Sequence, residues 1–123
     1  MSYLWSKNWL EWCTIAAEKT FENKVKTFLK EENCYYIKTH GDRFSKVGTP
    51  DLLINCNGFF LGVELKAPNG KPSELQKYHI EQIKKSGGIG LILYPEGYEK
   101  FKKLIKFLKK YEPIGKDVIY WWK

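Results

Sequence analysis

The chain has 123 residues with 43% hydrophobic and 28% charged side chains, enough for one domain with a real core and too apolar for a disordered segment. Its net charge of +7 favours an anionic partner, nucleic acid before a membrane surface. Cys13, Cys34 and Cys56 are odd in number and widely spaced, and neither His40 nor His79 is grouped with them. That argues against a disulfide framework and a Cys/His zinc site, and fits a reducing cytoplasm. No apolar run approaches the roughly 18 residues of a membrane span, and Lys7, Glu11 and Glu18 interrupt the N-terminus as a signal peptide would not be interrupted.

Residues 4 to 17 place Trp5, Trp9, Trp12 and Ala16 at helical spacing, a stripe that suits core or interface packing better than base stacking. A second helix is expected from Thr20, as its cap, to about Glu32, burying Phe21, Val25, Phe28 and Leu29 and ending at Asn33. Cys34 to Lys38 is rich in strand formers. His40 to Thr49 reads as a polar, glycine-containing loop, with Lys38 before it as a surface lysine in preference to a phosphate contact and His40 within it as a solvated histidine in preference to a general base.

The stretch from Gly48 to Lys66 carries the strongest signal. Asn57-Gly58 is the dipeptide preferred by a two-residue hairpin, because both central residues need positive φ. Counting outward from that turn pairs Cys56 with Phe59, Ile54 with Leu61, Leu52 with Val63 and Asp51 with Glu64. Alternation then splits the hairpin into a core face (Leu52, Ile54, Cys56, Phe59, Leu61, Val63, Leu65) and a face carrying Asp51, Glu64 and Lys66 beside the small Gly62. Carboxylates opposed in this way have Cβ atoms roughly 5 Å apart and repel, which a cation between them relieves. Oxygen ligands of this type suit Mg²⁺ or Mn²⁺. Lys66 points the same way as Glu64, where an ammonium can hold a water or offset charge on a phosphate.

Ala67 to Pro72 forms a turn. Ser73 caps a helix to about Ser86, with Gln76 at the reciprocal position of a capping box, and Gly87-Gly88 stops it. Gln76 shares a stripe with Ile80 and Ile83, so it also faces inward and needs a partner there. Ile89 to Tyr94 reads as a buried strand. Phe101, Leu104, Ile105 and Leu108 mark a last helix among Lys100, Lys102, Lys103, Lys106, Lys109 and Lys110, and Asp117 to Trp122 suggests an edge strand. The strand, helix, strand passage into Ile89–Tyr94 implies a mixed α/β sheet with helices packed on it.

On these residues the chain resembles the PD-(D/E)XK nuclease superfamily, with Pro50-Asp51 as the PD and Glu64-Leu65-Lys66 as the E-x-K. More narrowly it is similar to a stand-alone VRR-NUC domain, the compact type found in phages and bacteria. The match includes Glu22 early in the core helix, the G-x-P-D strand start and the S-x-x-Q helix start. The resemblance implies a restriction-endonuclease-like αβββαβ core over residues 20 to 94, with an aromatic helical extension at 1 to 19 and a basic helix and edge segment at 95 to 123. It implies a Mg²⁺- or Mn²⁺-dependent endonuclease on DNA, leaning toward branched forms such as four-way junctions. Asp51, Glu64 and the Leu65 carbonyl would be metal ligands, with Glu22 completing or orienting the shell. Lys66 would position the water, and Gln76 would line the site. Two coordinated cuts on paired strands call for a two-fold dimer, for which Trp5, Trp9, Trp12, Trp121 and Trp122 offer apolar surface. The rival expectations are a non-cleaving nucleic-acid-binding module and a partner-docking protein on the same fold.

Overall fold

The computed structural model describes residues 2–39, 47–113 and 115. Helix α1 (Ser2–Glu31) is one unbroken helix where the sequence suggests two. Thr20 does not cap a second helix: its hydroxyl donates to the Ala16 carbonyl at 2.9 Å, one turn back. No glycine or proline interrupts residues 2 to 33, and Ala16-Ala17-Glu18-Lys19 are good helix formers, so nothing breaks the backbone at the expected joint. The helix does end at Asn33, whose φ is 61°. There the Asn33 N–H reaches the Lys30 carbonyl at 3.1 Å and the Cys34 N–H reaches the Leu29 carbonyl at 2.9 Å. This is the Schellman closure that satisfies the last carbonyls of a helix.

Strands β1 (Tyr35–Lys38), β2 (Leu52–Cys56), β3 (Phe59–Leu65) and β4 (Ile89–Leu93) form one sheet in that spatial order. The β2–β3 hairpin has the register expected from its turn, Cys56 against Phe59 through Leu52 against Val63. Asn57 and Gly58 have φ of 58° and 93°, as a two-residue turn requires. β1 pairs antiparallel with β2, and β4 pairs parallel with β3, so the sheet is mixed.

Helix α2 (Glu74–Lys85) makes the crossover from β3 to β4 and lies on one face of the sheet. It packs where β3 and β4 carry glycine: a Cβ at Gly90 would stand 2.7 Å from the Ile80 carbonyl oxygen. The other face is covered by the C-terminal half of α1 and by α3 (Tyr98–Leu108), which follows a 3₁₀ turn at Pro95–Gly97. Between them lies the core: Phe21, Val25, Phe28 and Leu29 from α1, Leu52, Ile54, Cys56, Leu61 and Val63 from the hairpin, and Tyr98, Phe101, Ile105 and Leu108 from α3. Phe28 meets Tyr98 and Phe101 edge-on at ring-centroid distances of 6.3 Å.

Trp9 and Trp12, by contrast, are more than half exposed. The three cysteines are free. Among the described residues no helix is long and apolar enough to cross a membrane. The expected edge strand over 117–122, with Trp121 and Trp122, and the loop histidine His40 lie outside the described residues.

Candidate active site

Three structural decisions converge at one end of the sheet. The hairpin ends there with Asp51 leading into β2 and Glu64 one residue before the end of β3. The next residue after β3, Lys66, extends the parallel ladder by donating its N–H to the Leu93 carbonyl at 3.0 Å. The N-terminus of α2 stands above, fixed by Ser73. This is the carboxyl end of β1, β3 and β4, the end at which open sheets with parallel strands present their ligand sites.

The two carboxylates are locked by exchange across the strands. Asp51 Oδ2 accepts the Leu65 N–H at 2.9 Å, and Glu64 Oε2 accepts the Asp51 N–H at 3.2 Å. The Asp51 backbone is held from β1 as well, since its carbonyl accepts the Thr39 N–H at 2.9 Å. Opposed acids that would otherwise repel are thus held in place by main-chain donors. Lys66 Nζ stands 3.6 Å from Glu64 Oε1, so the lysine and the glutamate share one side of the hairpin as alternation requires.

Gln76 fills both roles that its spacing suggests. Its Oε1 accepts the Ser73 N–H at 2.8 Å while the Ser73 hydroxyl accepts the Gln76 N–H at 3.1 Å, which completes the capping box. Its Nε2 donates to Glu64 Oε1 at 2.8 Å. A side-chain amide has an acceptor end and a donor end, so the two readings are not alternatives.

Glu22 is buried and lies well inside the single long helix α1, not early in a separate core helix as the sequence suggests. Its Oε1 lies 2.8 Å from Lys38 Nζ, and its Oε2 lies 2.9 Å from Lys26 Nζ and 3.6 Å from Lys19 Nζ. Lys38 in turn stands 3.4 Å from Asp51 Oδ1. Glu22 therefore joins the pair through a lysine. Among the described residues no three His, Cys, Asp or Glu side chains come together in a way that could hold a metal ion. The acids at this end are a pair, Asp51 and Glu64, with the third beyond Lys38.

The charges follow from these contacts. Burial and then the neighbouring Asp51 charge push Glu64 up to about 7, against the pull of Lys66. Glu22 is also burdened by burial, yet hydrogen bonds and attraction from Lys38 and Lys26 outweigh it and hold this carboxyl down to about 2. Burial works against the Lys38 ammonium, but Glu22 and Asp51 prevail and raise its pKa.

Lys26 is a participant that sequence reasoning missed, and Lys38, expected at the surface, is instead mostly covered and paired with Glu22 and Asp51. Lys26 was findable, four residues after Glu22 on the same helix face. Lys38 was not. It faces Leu52 in the β1–β2 register, and the sequence between those two strands has no two-residue turn signature to count from. Comparison with family models, with curated proteins and with solved structures yields no match for this chain.

Proposed function

We propose that this protein is a divalent-metal-dependent DNA endonuclease of the PD-(D/E)XK type, similar to stand-alone VRR-NUC domains. The element order α1-β1-β2-β3-α2-β4 supports a restriction-endonuclease-like core. One observation carries the reading: Asp51 and Glu64 are held side by side at the open end of the hairpin, with Lys66 on Glu64 and Gln76 fastening Glu64 from above. A pair in which Glu64 is pushed up to about 7 lacks full counter-charge, and its oxygens suit a hard cation, Mg²⁺ or Mn²⁺.

Asp51 and Glu64 would hold the ion, with the Leu65 carbonyl as a backbone ligand and Glu22 standing behind them, beyond Lys38. When bound, the ion supplies positive charge that polarises a phosphodiester and makes water more acidic. Hydrolysis adds water across one P–O bond. The water oxygen bonds to phosphorus and gives up a proton, and the departing sugar oxygen leaves with the bond pair and takes up a proton. Lys66 orients the water and offsets charge growing on the phosphate oxygens. Gln76 keeps Glu64 in its rotamer. The basic balance of the chain favours the polyanion, branched DNA such as a four-way junction is the proposed substrate, and a two-fold dimer would cut paired strands.

The test is incubation with labelled junction, flap, duplex and single-stranded DNA under Mg²⁺, Mn²⁺ or chelator. Cleavage is expected only with metal, and Asp51→Asn is expected to lose at least a hundredfold in rate while keeping its circular dichroism and melting temperature. A folded Asp51→Asn protein with full activity would sink the assignment. The second reading, a partner-docking protein, is favoured by the exposed Trp9 and Trp12. It wins if no DNA is cut with either metal and replacement of Trp9 abolishes capture of a helicase or other subunit.

A further inference from the structure

Lys38 occupies an unusual position for a lysine next to a carboxylate pair. Its side chain is only 25% exposed, and its Nζ lies between Glu22 Oε1 at 2.8 Å and Asp51 Oδ1 at 3.4 Å. Glu22 is its closer partner, but Glu22 also has Lys26 at 2.9 Å and Lys19 at 3.6 Å, so Lys38 is not its sole counter-charge. Asp51 is differently placed. Oδ2 is taken by the Leu65 N–H, and the neighbouring Glu64 carboxylate repels it, which leaves Oδ1 facing Lys38. The ammonium thus sits where Glu22 and Asp51 would otherwise confront each other, and it keeps the third acid apart from the pair.

We propose that Lys38 is a tethered counter-cation: it neutralises Asp51 in the metal-free protein, competes with the divalent ion for the acid pair, and thereby sets how much metal the site requires. This rests on the metal-dependent reading of Asp51 and Glu64. Glu22 is the anchor that holds Lys38 within reach. It keeps one oxygen on Lys38 and the other on Lys26, so displacement of Lys38 from Asp51 does not strand a buried charge. Lys38 is accordingly a positioning residue, and it lowers metal affinity instead of raising it.

The experiment is a calorimetric titration of the full chain with Mn²⁺, without DNA, for the wild type, Lys38→Met, Lys38→Gln and Lys38→Arg. Removing the competing charge is expected to tighten Mn²⁺ binding about tenfold in Lys38→Met and Lys38→Gln, because a unit charge a few ångströms away acts strongly at a half-buried site. Lys38→Arg keeps the charge and is expected to bind as the wild type does. In chelator the uncharged variants should melt lower, and Mn²⁺ should restore them. Lys38→Gln retains hydrogen-bonding capacity to both acids and serves if Lys38→Met does not fold. A lysine with a merely structural role would shift the melting temperature and leave Mn²⁺ affinity unmoved, and that result overturns the proposal with the nuclease reading intact. Failure of the wild type and every variant to bind Mn²⁺ overturns both.

Discussion

Glu64 has two adverse influences on its ionised form, its own burial and the charge of Asp51, and together they push it up to about 7. Glu22, only slightly more exposed, is held down to about 2 because Lys38 and Lys26 overcome its burial. The two residues therefore act on stability in opposite directions. A carboxyl whose folded pKa is depressed stabilises above its unfolded value near 4.5 and loses that contribution as pH falls toward 2. One whose folded pKa is raised binds a proton that the unfolded chain has released, so stability falls as pH rises from 4.5 to about 7. The second effect is about 3 kcal/mol at most, given a side chain almost fully covered. In chelator, thermal melts followed by circular dichroism should fall in midpoint between pH 4.5 and 7, and Glu64→Gln should flatten that decline. A wild-type midpoint that rises across the same range would contradict the placement of a buried Glu64 beside the Asp51 carboxylate.

At the scale of elements, α2 couples the site to a helix terminus through a single amide. Ser73→Ala removes one cap bond and is expected to cost about 1 kcal/mol, with cleavage unchanged. Gln76→Glu keeps the acceptor for the Ser73 N–H but replaces the donor to Glu64 with a carboxylate. It should cost little in helix capping and reduce cleavage at least tenfold. Denaturant titrations beside rate measurements separate the two, and equal kinetics for wild type and Gln76→Glu would return Gln76 to capping alone. What was legible in the sequence follows the same division. The hairpin register, the Asn33 stop and the Ser73–Gln76 box were readable because each is written in residues within a few positions of one another. The continuity of α1 was not: a threonine followed by a buried stripe looks like a fresh start, and only the absence of a breaker says otherwise. The Glu22–Lys38–Asp51 chain was not readable either, because it joins a helix, an edge strand and a strand start whose mutual registers are set by packing.

For the whole molecule, α1 poses a question of surface. At about 100° per residue, Trp9, Trp12 and Ala16 fall roughly opposite the stripe of Phe21, Val25, Phe28 and Leu29 that faces the sheet. Trp9 and Trp12 therefore point away from that stripe; Leu10, on the same side as Phe28, is 60% exposed as well, so this half of α1 offers apolar surface on more than one side. Two copies related by a two-fold axis can bring such stripes together with their bodies on the outer sides and without collision. The segment is also suited to contact between chains of charge +7, since Lys7 and Lys19 are balanced by Glu11 and Glu18. Light scattering at micromolar concentration should report a dimer of the 14.5 kDa chain, and Trp9→Ser with Trp12→Ser should report a monomer. The double variant should melt close to the wild type under dissociating dilution, because exposed positions contribute little to the fold. A wild-type monomer would remove the dimer from the proposed function and leave the chemistry untouched.

The hairpin turn is the part of β2–β3 farthest from the acids, and yet it decides whether they meet. Residues that face each other across this hairpin have numbers that sum to a constant fixed by the turn at Asn57 and Gly58. A loop longer by one residue shifts that constant by one, which sets Asp51 against Leu65 and turns it away from Glu64. A loop longer by two preserves which side chains share a face. The pairing of the two carboxylates is in this sense a matter of odd and even, settled at the opposite end of the sheet by a dipeptide that touches neither of them.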